Sequence, residues 1–364
     1  MQISWNQNDF FHLDKPLLLG LFIITVLGLV ILYSASGQDV DVVLRQVVRI
    51  SIGFVVLIIL AQIRPQSILT WVPWIYGIGL FMLIAVLLVG DVSKGSQRWL
   101  NLGLIRFQPS ELMKLAVPLM VSWYLSDKPL PPNFQRIVIS LLITLIPALL
   151  VAKQPDLGTA LLITASGIFV LLLSGLYWQL IAVSLALIPV VIWGLWQVMY
   201  DYQKQRVLTL LNPEADPLGT GYHIIQSKIA IGSGGLYGKG WLNGTQSHLE
   251  FLPERSTDFI FAVFSEEFGL IGVLILLSLY LFILTRGMVI ALQAQGNFAR
   301  LLAGSLVLTF FVYIFVNMGM VSGLLPVVGV PLPLISYGGT SIVTLMAGFG
   351  LLMGVHTHKR LLSG

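Results

Sequence analysis

The sequence contains no cysteine and very little charge. Only 10% of its 364 residues are Asp, Glu, Lys or Arg, and 57% are hydrophobic. Without cysteine, the chain has no disulfides, no thiolate metal site and no cysteine nucleophile. Soluble domains usually carry about 25% charged residues. The composition therefore excludes a water-soluble globule and predicts an integral membrane protein.

Long apolar runs make up most of the chain. A helical span needs roughly 20 apolar residues, and the second run is short enough to need the preceding turns, Val42 to Arg49. The predicted spans are Pro16 to Tyr33, Ile50 to Gln62, Ile68 to Val89, Ser110 to Leu125, Ile137 to Val151, Gly158 to Leu173, Tyr177 to Met199, Phe259 to Leu284, Leu301 to Leu324 and Ser336 to His356. We predict an all-α polytopic membrane protein with about ten transmembrane helices, forming a single domain over residues 1–364.

An even number of spans places both termini on the same side of the membrane. The basic tail His358-Lys359-Arg360 then shares that side with the short basic links at Arg64, at Lys128 to Arg136 and at Arg286 to Arg300. The positive-inside rule assigns this side to the cytoplasm. The other face carries more basic residues by raw count, but most of them lie in long, structured segments. We predict cytoplasmic termini and one large extracytoplasmic loop, residues 200–258.

Two common ligand classes are disfavoured. The glycine-rich run Gly232 to Gly244 follows no strand and lacks a Gly-Lys-Ser/Thr ending, so it predicts no nucleotide site. It is more typical of turns that end a helix, here an amphipathic helix over Tyr222 to Ile231, although its N–H groups are also suited to a pyrophosphate. The chain has no run of Lys and Arg, so no nucleic-acid partner is expected.

The stretch Pro253 to Asp258 concentrates scarce charge at the start of a long apolar run. Two carboxylates and a guanidinium at the lipid–water boundary suit a substrate that is half lipid and half charged headgroup. Ser256, Thr257 or Asp258 would equally serve to cap the following helix. The residues alone leave catalysis and capping open for Asp258.

Glu111 and Lys114 stand one helical turn apart after Ser110, which is a fair N-cap. Their spacing predicts an ion pair that makes two intramembrane charges tolerable, or a lysine held for an anionic substrate. Arg98, in the preceding loop, would add positive charge on the same side. These residues are candidates for binding an anion.

Three further acids lie at or near predicted span ends. Asp156 either caps the sixth span or has a functional role. Glu266 and Glu267 lie about two turns beyond Asp258, where pairing with a lysine or arginine is the common outcome and function the default hypothesis.

The segment Asn317 to Ser341 contains three prolines that forbid a continuous helix. Broken backbone at membrane depth must line a cavity or be buried in protein. As a string, the segment resembles the signature of the SEDS family of cell-wall polymerases, and in particular its elongation (rod-shape) branch. Further stretches resemble the same family over essentially the whole chain: Lys94 to Trp99, Phe107 to Glu111, Gln154 to Thr159, Gly221 to Ser227 and Glu250 to Phe259.

The resemblance implies a ten-span protein of the bacterial cytoplasmic (inner) membrane that polymerises lipid II into glycan strands during cell elongation. It implies a complex with a class B penicillin-binding protein, a transpeptidase, and with other elongation proteins. The family's essential aspartate falls on Asp258, its motif glutamate and lysine on Glu111 and Lys114, and its Gln-Pro-Asp aspartate on Asp156.

The implied chemistry is a single inverting glycosyl transfer. A sugar 4-hydroxyl attacks C1 of a lipid-pyrophosphate-linked glycan and undecaprenyl pyrophosphate leaves, so one carboxylate base suffices. Asp258 is the predicted base, or else it binds a divalent cation, Mg²⁺ or Mn²⁺, that activates the hydroxyl. Arg98, Lys114 and Arg255 are predicted to stabilise the pyrophosphate.

Two other classes of protein remain as alternatives. A flippase or transporter of the lipid-linked precursor would use the same helices, the broken segment and the buried acids for alternating access. The sequence shows no inverted repeats. A non-catalytic scaffold of the cell-wall machinery would need no charge at Asp258.

Overall fold

A computed structural model of the chain describes residues 12–93, 96–101, 106–127, 129–199, 201–215, 220–245 and 254–358. Several residues named above lie outside these ranges: Lys94, Gly95, Lys128, Glu250 to Pro253, Lys359 and Arg360. Within the ranges most residues are helical and few are in strands, which confirms the predicted all-α class.

Ten helices in the described ranges contain 17 residues or more, in agreement with the ten predicted spans. They are α1 (Lys15–Ala35), α2 (Val40–Ala61), α4 (Val72–Val89), α5 (Pro109–Ser126), α6 (Phe134–Lys153), α7 (Leu157–Leu173), α8 (Trp178–Val198), α11 (Ile260–Leu292), α12 (Asn297–Val321) and α13 (Thr340–Thr357). Seven of them, α1, α2, α4, α6, α11, α12 and α13, are long and apolar enough to cross a membrane.

The shorter elements lie between these helices. They are α3 (Pro65–Leu69), β1 (Asp91–Ser93), β2 (Ser96–Asn101), β3 (Arg106–Phe107), α9 (Asp201–Leu211), a 3₁₀ turn (Pro213–Ala215) and α10 (Thr220–Ser233). The strands form a small antiparallel sheet in the order β1-β2-β3. Helix α10 confirms a helix over Tyr222 to Ile231, as predicted.

Helix starts follow from short polar side chains. Helix α2 begins at Val40 because Asp39 accepts hydrogen bonds from the N–H groups of Asp41 and Val42, at 2.8 and 3.2 Å. The second span therefore includes Val42 to Arg49, as the short apolar run requires. Helix α6 begins in the same way, since Asn133 accepts a hydrogen bond from the Arg136 N–H at 3.1 Å.

Two buried clusters hold the bundle together. The larger joins α1, α2, α11, α12 and α13, and a second joins α4, α5, α6 and α7. Large apolar side chains on the outer faces remain exposed, for example Phe81 at 72% and Trp74 at 69%. Such faces are typical of helices that contact lipid.

Helix α11 is broken at Gly269, where φ is 62° and ψ −163°; the sequence predicted a continuous span. The glycine-rich segment packs into the break. The Lys239 and Gly240 N–H groups donate to the carbonyls of Glu266 and Glu267, each at 3.0 Å. The Leu270 and Ile271 N–H groups donate back to the carbonyls of Gly235 and Leu236, at 3.0 and 3.1 Å.

This exchange satisfies the backbone groups that a helix break would leave unpaired. It also explains the glycines, because a Cβ on Gly238 would lie 2.1 Å from the Glu267 carbonyl oxygen. The N–H groups of Lys239 and Gly240 bind helix carbonyls in this arrangement, so they are not directed at an anion.

The segment between α12 and α13, residues 322–339, is not helical, as its prolines predict. Its centre is buried in protein: Leu332, Leu334 and Ile335 are each 1% exposed. The tenth helix therefore begins at Thr340 and not at the predicted Ser336. This buried segment positions the candidate site.

A charged cluster closes the opposite end of the bundle. The Arg286 guanidinium donates to both oxygens of the buried Asp14, at 3.1 and 2.6 Å. His356 Nε2 lies 3.4 Å from Asp14 Oδ2. Helices α1, α11 and α13 are thereby joined at the end of the bundle where α1 begins and α13 ends.

Candidate active site

Asp258 lies in the turn before α11, and the structure contradicts the capping alternative for this turn. The N-cap of α11 is Phe259, and no side chain caps the first turn. The half-buried Asp258 carboxylate instead faces the broken segment. Its Oδ2 lies 3.4 Å from the position that a Cβ on Gly329 would occupy, and Gly329 has a φ of +75°. A larger residue there would be strained and would press on the carboxylate.

The two carboxylate oxygens of Asp156 have different partners. Its Oδ1 accepts the Thr159 N–H at 3.1 Å and so caps α7. Its Oδ2 accepts a hydrogen bond from Gln108 Nε2 at 3.3 Å and lies 3.7 Å from Arg98 Nε. Arg98, on β2, also donates to the Pro155 carbonyl. The capping oxygen fixes the carboxylate, and the other oxygen holds the arginine.

Glu111 and Lys114 form the predicted ion pair, with Lys114 Nζ 2.6 Å from Glu111 Oε1. Both side chains are buried, and Glu111 Oε2 has no hydrogen-bond partner among the described residues. Lys114 Nζ also lies 5.0 Å from the centroid of the Tyr313 ring on α12. The ammonium is thus held by a carboxylate and by an aromatic face.

The predicted N-cap of α5 is wrong by two positions. Gln108 is the N-cap and makes no side-chain capping bond, while Pro109 is the first helical residue. Pro109 sets the start because its fixed φ suits the first turn and its missing N–H is not needed there. Ser110 instead accepts a hydrogen bond from Gln108 Nε2 at 3.0 Å.

The broken segment contacts both Asp258 and the first turn of α7, the helix that Asp156 caps. A Cβ on Gly158, in the first turn of α7, would lie 2.9 Å from both the Val328 carbonyl oxygen and the Val330 side chain. Gly329, between those two valines, lies against Asp258. Val330 also shares a buried cluster with Tyr313, the residue that covers Lys114. Residues 328–330 therefore link the helix that Asp156 caps, Asp258 and the aromatic partner of Lys114.

The other two charged residues of the Asp258 turn point in different directions. The Arg255 Nη2 lies 3.4 Å from where a Cβ on Gly37 would stand, beside the connection between α1 and α2. Glu254 Oε2 accepts a hydrogen bond from Thr257 Oγ1 at 3.0 Å. Arg255 thus contacts the α1–α2 connection from the turn that carries Asp258.

Of the two buried acids of α11, Glu266 is paired with a lysine, as expected. Lys239 Nζ lies 2.7 Å from Glu266 Oε1, and the same oxygen accepts the Thr245 N–H at 2.9 Å. Glu267 accepts a hydrogen bond from Ser34 Oγ on α1. These carboxylates bind the glycine-rich segment and α1, which gives both a structural role.

Sequence reasoning missed several residues near the site. Tyr313 carries no motif signal, and only its helix position brings it over Lys114. Gln108 stands beside the predicted Glu111 and was not assigned a role. Arg206, on α9, donates to the Val327 carbonyl at 3.1 Å, which brings the long loop onto the broken segment.

A divalent cation would have to share its coordination with the substrate. The described residues contain no group of three or more His, Cys, Asp or Glu side chains that could hold a metal ion. Mg²⁺ is commonly bound by one or two carboxylates together with substrate phosphates.

The chain matches the FtsW/RodA/SpoVE family model, described as "Cell cycle protein", over residues 8–361. It is 56% identical over 356 residues to "Peptidoglycan glycosyltransferase MrdB" of Escherichia coli (strain K12), covering 98% of this chain and 96% of that protein. It is 34% identical over 365 residues to "Stage V sporulation protein E" of Bacillus subtilis (strain 168), with 95% and 98% covered.

Two solved structures are also similar to this chain in fold and sequence. The rod shape determining protein RodA of Thermus thermophilus matches with a TM-score of 0.72 and 30% identity, covering 94% of this chain and 96% of that one. A chain from "Structural coordination of polymerization and crosslinking by a peptidoglycan synthase complex" matches with a TM-score of 0.82 and 34% identity, covering 94% and 97%. The molecule is thus an integral membrane protein of the cell-wall polymerase class. It belongs to the SEDS (FtsW/RodA/SpoVE) family, which confirms the resemblance seen in its motifs.

Proposed function

We propose that this chain is a peptidoglycan glycosyltransferase that polymerises lipid II into glycan strands during cell elongation. The observation that carries the proposal is the packing of residues 328–330 against both Asp258 and the first turn of α7, which Asp156 caps. In this packing the half-buried Asp258 carboxylate and the Asp156–Arg98 pair lie at the same end of the helix bundle. The name of the 56% identical relative, peptidoglycan glycosyltransferase, supports the same activity.

In the proposed reaction, Asp258 removes the proton from the 4-hydroxyl of one sugar as its oxygen attacks C1 of another. The C1–O bond to the pyrophosphate breaks with inversion, and no covalent glycosyl-enzyme forms. Lys114, Arg98 and Arg255 stabilise the negative charge that develops on the leaving pyrophosphate. Glu111 and Asp156 hold two of these cations, Lys114 and Arg98.

The site belongs on the outer side of the membrane and the termini belong in the cytoplasm. Asp258 precedes the first turn of α11, and Arg286, bound to Asp14, lies near the last turns of the same helix. Asp258 is therefore at the opposite end of the bundle from the start of α1 and the end of α13. The basic links predicted for the cytoplasmic side support this orientation.

A class B penicillin-binding protein is the proposed partner, because it would cross-link the strands that this chain makes. The similarity to a chain of a complex that coordinates polymerization and crosslinking supports such an assembly. Other proteins of the elongation machinery are proposed on the family resemblance. A divalent cation, Mg²⁺ or Mn²⁺, bound at Asp258 with the substrate pyrophosphate is part of the same proposal.

The decisive experiment uses purified protein and fluorescent lipid II, with and without the cognate transpeptidase and with Mg²⁺, Mn²⁺ or EDTA. Glycan polymer resolved on a gel is the expected product. Translocation of lipid II across vesicles without polymer would favour a flippase. If polymer never forms under any of these conditions, while the protein still binds its partner, the scaffold alternative replaces the proposal.

A further inference from the structure

Three consecutive backbone carbonyls, those of Ser256, Thr257 and Asp258, each accept a hydrogen bond from the C-terminal signature segment. The donors are the Tyr337 N–H to Ser256 at 2.9 Å, Ser336 Oγ to Thr257 at 2.6 Å and Asn317 Nδ2 to Asp258 at 2.9 Å. We call these three bonds the carbonyl clamp. No side chain caps α11, and the clamp joins the backbone of the Asp258 turn to the signature segment.

The two side-chain donors of the clamp are themselves fixed. Asn317 is fully buried, and its Nδ2 also donates to the Val330 carbonyl at 2.7 Å. Ser336 is 3% exposed, and its Oγ accepts the Leu332 N–H at 2.8 Å. Each donor thus joins the Asp258 turn to a second point on the broken segment. Neither side chain can move without breaking two hydrogen bonds.

A side chain of helix α2 binds the backbone on both sides of the clamp residue Tyr337. The Gln46 side chain is 1% exposed and donates from Nε2 to the Ser336 carbonyl at 3.1 Å. Its Oε1 accepts the Gly338 N–H at 3.3 Å. This pair of bonds holds the backbone on both sides of Tyr337. The Ser336 and Tyr337 donors are therefore fixed in position next to the Asp258 turn.

Bonds to successive carbonyls fix the orientation of successive peptide planes, and with them the direction of the Asp258 Cα–Cβ bond. A general base must lie within hydrogen-bond reach of the proton that it removes. Displacements of about 1 Å in such groups are able to cost on the order of 10²-fold in rate. The position of the Asp258 carboxylate therefore depends on the residues that hold its backbone.

We propose that Ser336 and Asn317 are positioning residues that place the Asp258 carboxylate for proton removal, with Gln46 supporting them. This inference rests on the proposed function, in which Asp258 is the base. It assigns a physical role to both ends of the signature segment, beyond breaking the helix.

The test compares Ser336→Ala with Ser336→Thr, which keeps the hydroxyl. In lipid II polymerisation, kcat should fall about 10- to 100-fold for Ser336→Ala, in line with a small displacement of the base. KM should stay within about 3-fold of wild type, because the residues proposed to bind the pyrophosphate are unchanged. Ser336→Thr should recover most of the lost kcat. If Ser336→Ala retains wild-type kcat, Ser336 does not position Asp258.

A matched control separates positioning from general stability. Ser305 Oγ, also fully buried, donates to the Ser166 carbonyl at 2.7 Å and joins α12 to α7. Ser305→Ala deletes a buried hydroxyl-to-carbonyl bond outside the clamp, so it should lower Tm, by less than Ser336→Ala because Ser336 makes two bonds, and leave kcat near wild type. Equal losses of kcat in both variants would mean that both bonds act only through stability, and would overturn the proposal.

A second readout does not require catalysis. Because the chain has no cysteine, Asp258→Cys introduces a single thiol whose rate of reaction with a water-soluble methanethiosulfonate reports the position of that side chain. Adding Ser336→Ala should change this rate at least about 3-fold, and adding Ser305→Ala should not. An unchanged rate with Ser336→Ala would contradict the proposal even if the enzyme had another base.

The outcomes also distinguish this inference from the proposed function. If the wild-type chain makes no polymer, the proposed function fails and the thiol rates alone decide whether the clamp positions residue 258. If wild type makes polymer and Ser336→Ala makes it equally well, only the clamp inference fails. Should Ser336→Ala not fold, Gln46→Glu, which keeps the acceptor for Gly338 and loses the donor to Ser336, carries the same expectations.

Discussion

Lys114 Nζ lies 2.6 Å from Glu111 Oε1, one turn away on α5, and both side chains are buried inside the bundle. Each charge alone would cost several kcal/mol at this depth. The pair keeps Lys114 charged and leaves it in contact with Tyr313. A cation is thus retained close to the site without making the bundle unstable.

Removing one partner of this pair should therefore destabilise the protein more than removing both. Glu111→Gln or Lys114→Met alone should lower the free energy of unfolding by about 3–5 kcal/mol, because a buried charge is left unpaired. The double replacement should recover most of this loss but not the polymerase activity, since the cation is gone. Thermal unfolding in detergent measures the first effect and lipid II polymerisation the second. A double variant no more stable than either single variant would show that pairing is not the main role of these residues.

Replacing Asp258 should abolish polymerisation without affecting folding. Asp258→Asn keeps the size of the side chain and leaves the backbone carbonyl that Asn317 binds. It removes the base, so glycan synthesis should fall about 10²- to 10⁴-fold. Co-purification with the transpeptidase is the folding control. Near-normal polymer from a well-folded Asp258→Asn protein would exclude Asp258 as base or metal ligand and shift the assignment to Asp156.

Asp156→Asn should separate the two functions of that carboxylate. Asn and Asp rank together as N-caps, so the Thr159 bond and the stability of α7 should survive within about 0.5 kcal/mol. The charge facing Arg98 is lost, so KM for lipid II should rise while Tm stays nearly constant. Asp156→Ala, which loses cap and charge together, should lower both Tm and activity. If Asp156→Asn has wild-type kinetics, the carboxylate acts only as a cap.

The glycine-rich segment offers a test of the break in α11. Gly238→Ala would place a Cβ 2.1 Å from the Glu267 carbonyl oxygen, and overpacking of this kind costs about 1–3 kcal/mol. Gly232→Ala, in the last turn of α10, meets nothing within 4 Å and should stabilise that helix by about 0.5–1 kcal/mol. Thermal unfolding of the two variants should thus shift in opposite directions. Equal shifts would show that the close approach is not what the glycine provides.

The composition and the apolar runs were enough to predict the bundle. A lipid core requires about 20 apolar residues per helix and permits no backbone N–H or C=O group without a hydrogen bond. Each span can therefore be recognised as a long apolar run in the sequence. The broken segment was also predictable, because its three closely spaced prolines each remove a backbone donor and so disfavour a continuous helix. The ion pair of Glu111 and Lys114 was predictable because i,i+3 neighbours meet on any helix.

Only the tertiary structure decided where these elements meet. The break at Gly269 depends on hydrogen bonds from Lys239 and Gly240, about thirty residues earlier in the chain. Tyr313 covers Lys114 from another helix. The expected cap at Ser110 was wrong because Pro109 sets that helix start. Of the two roles left open for Asp258, capping is contradicted, since no side chain caps α11 and the signature segment binds the carbonyls before it. Local patterns determine helices and their near neighbours, whereas contacts between distant segments depend on packing that no local pattern encodes.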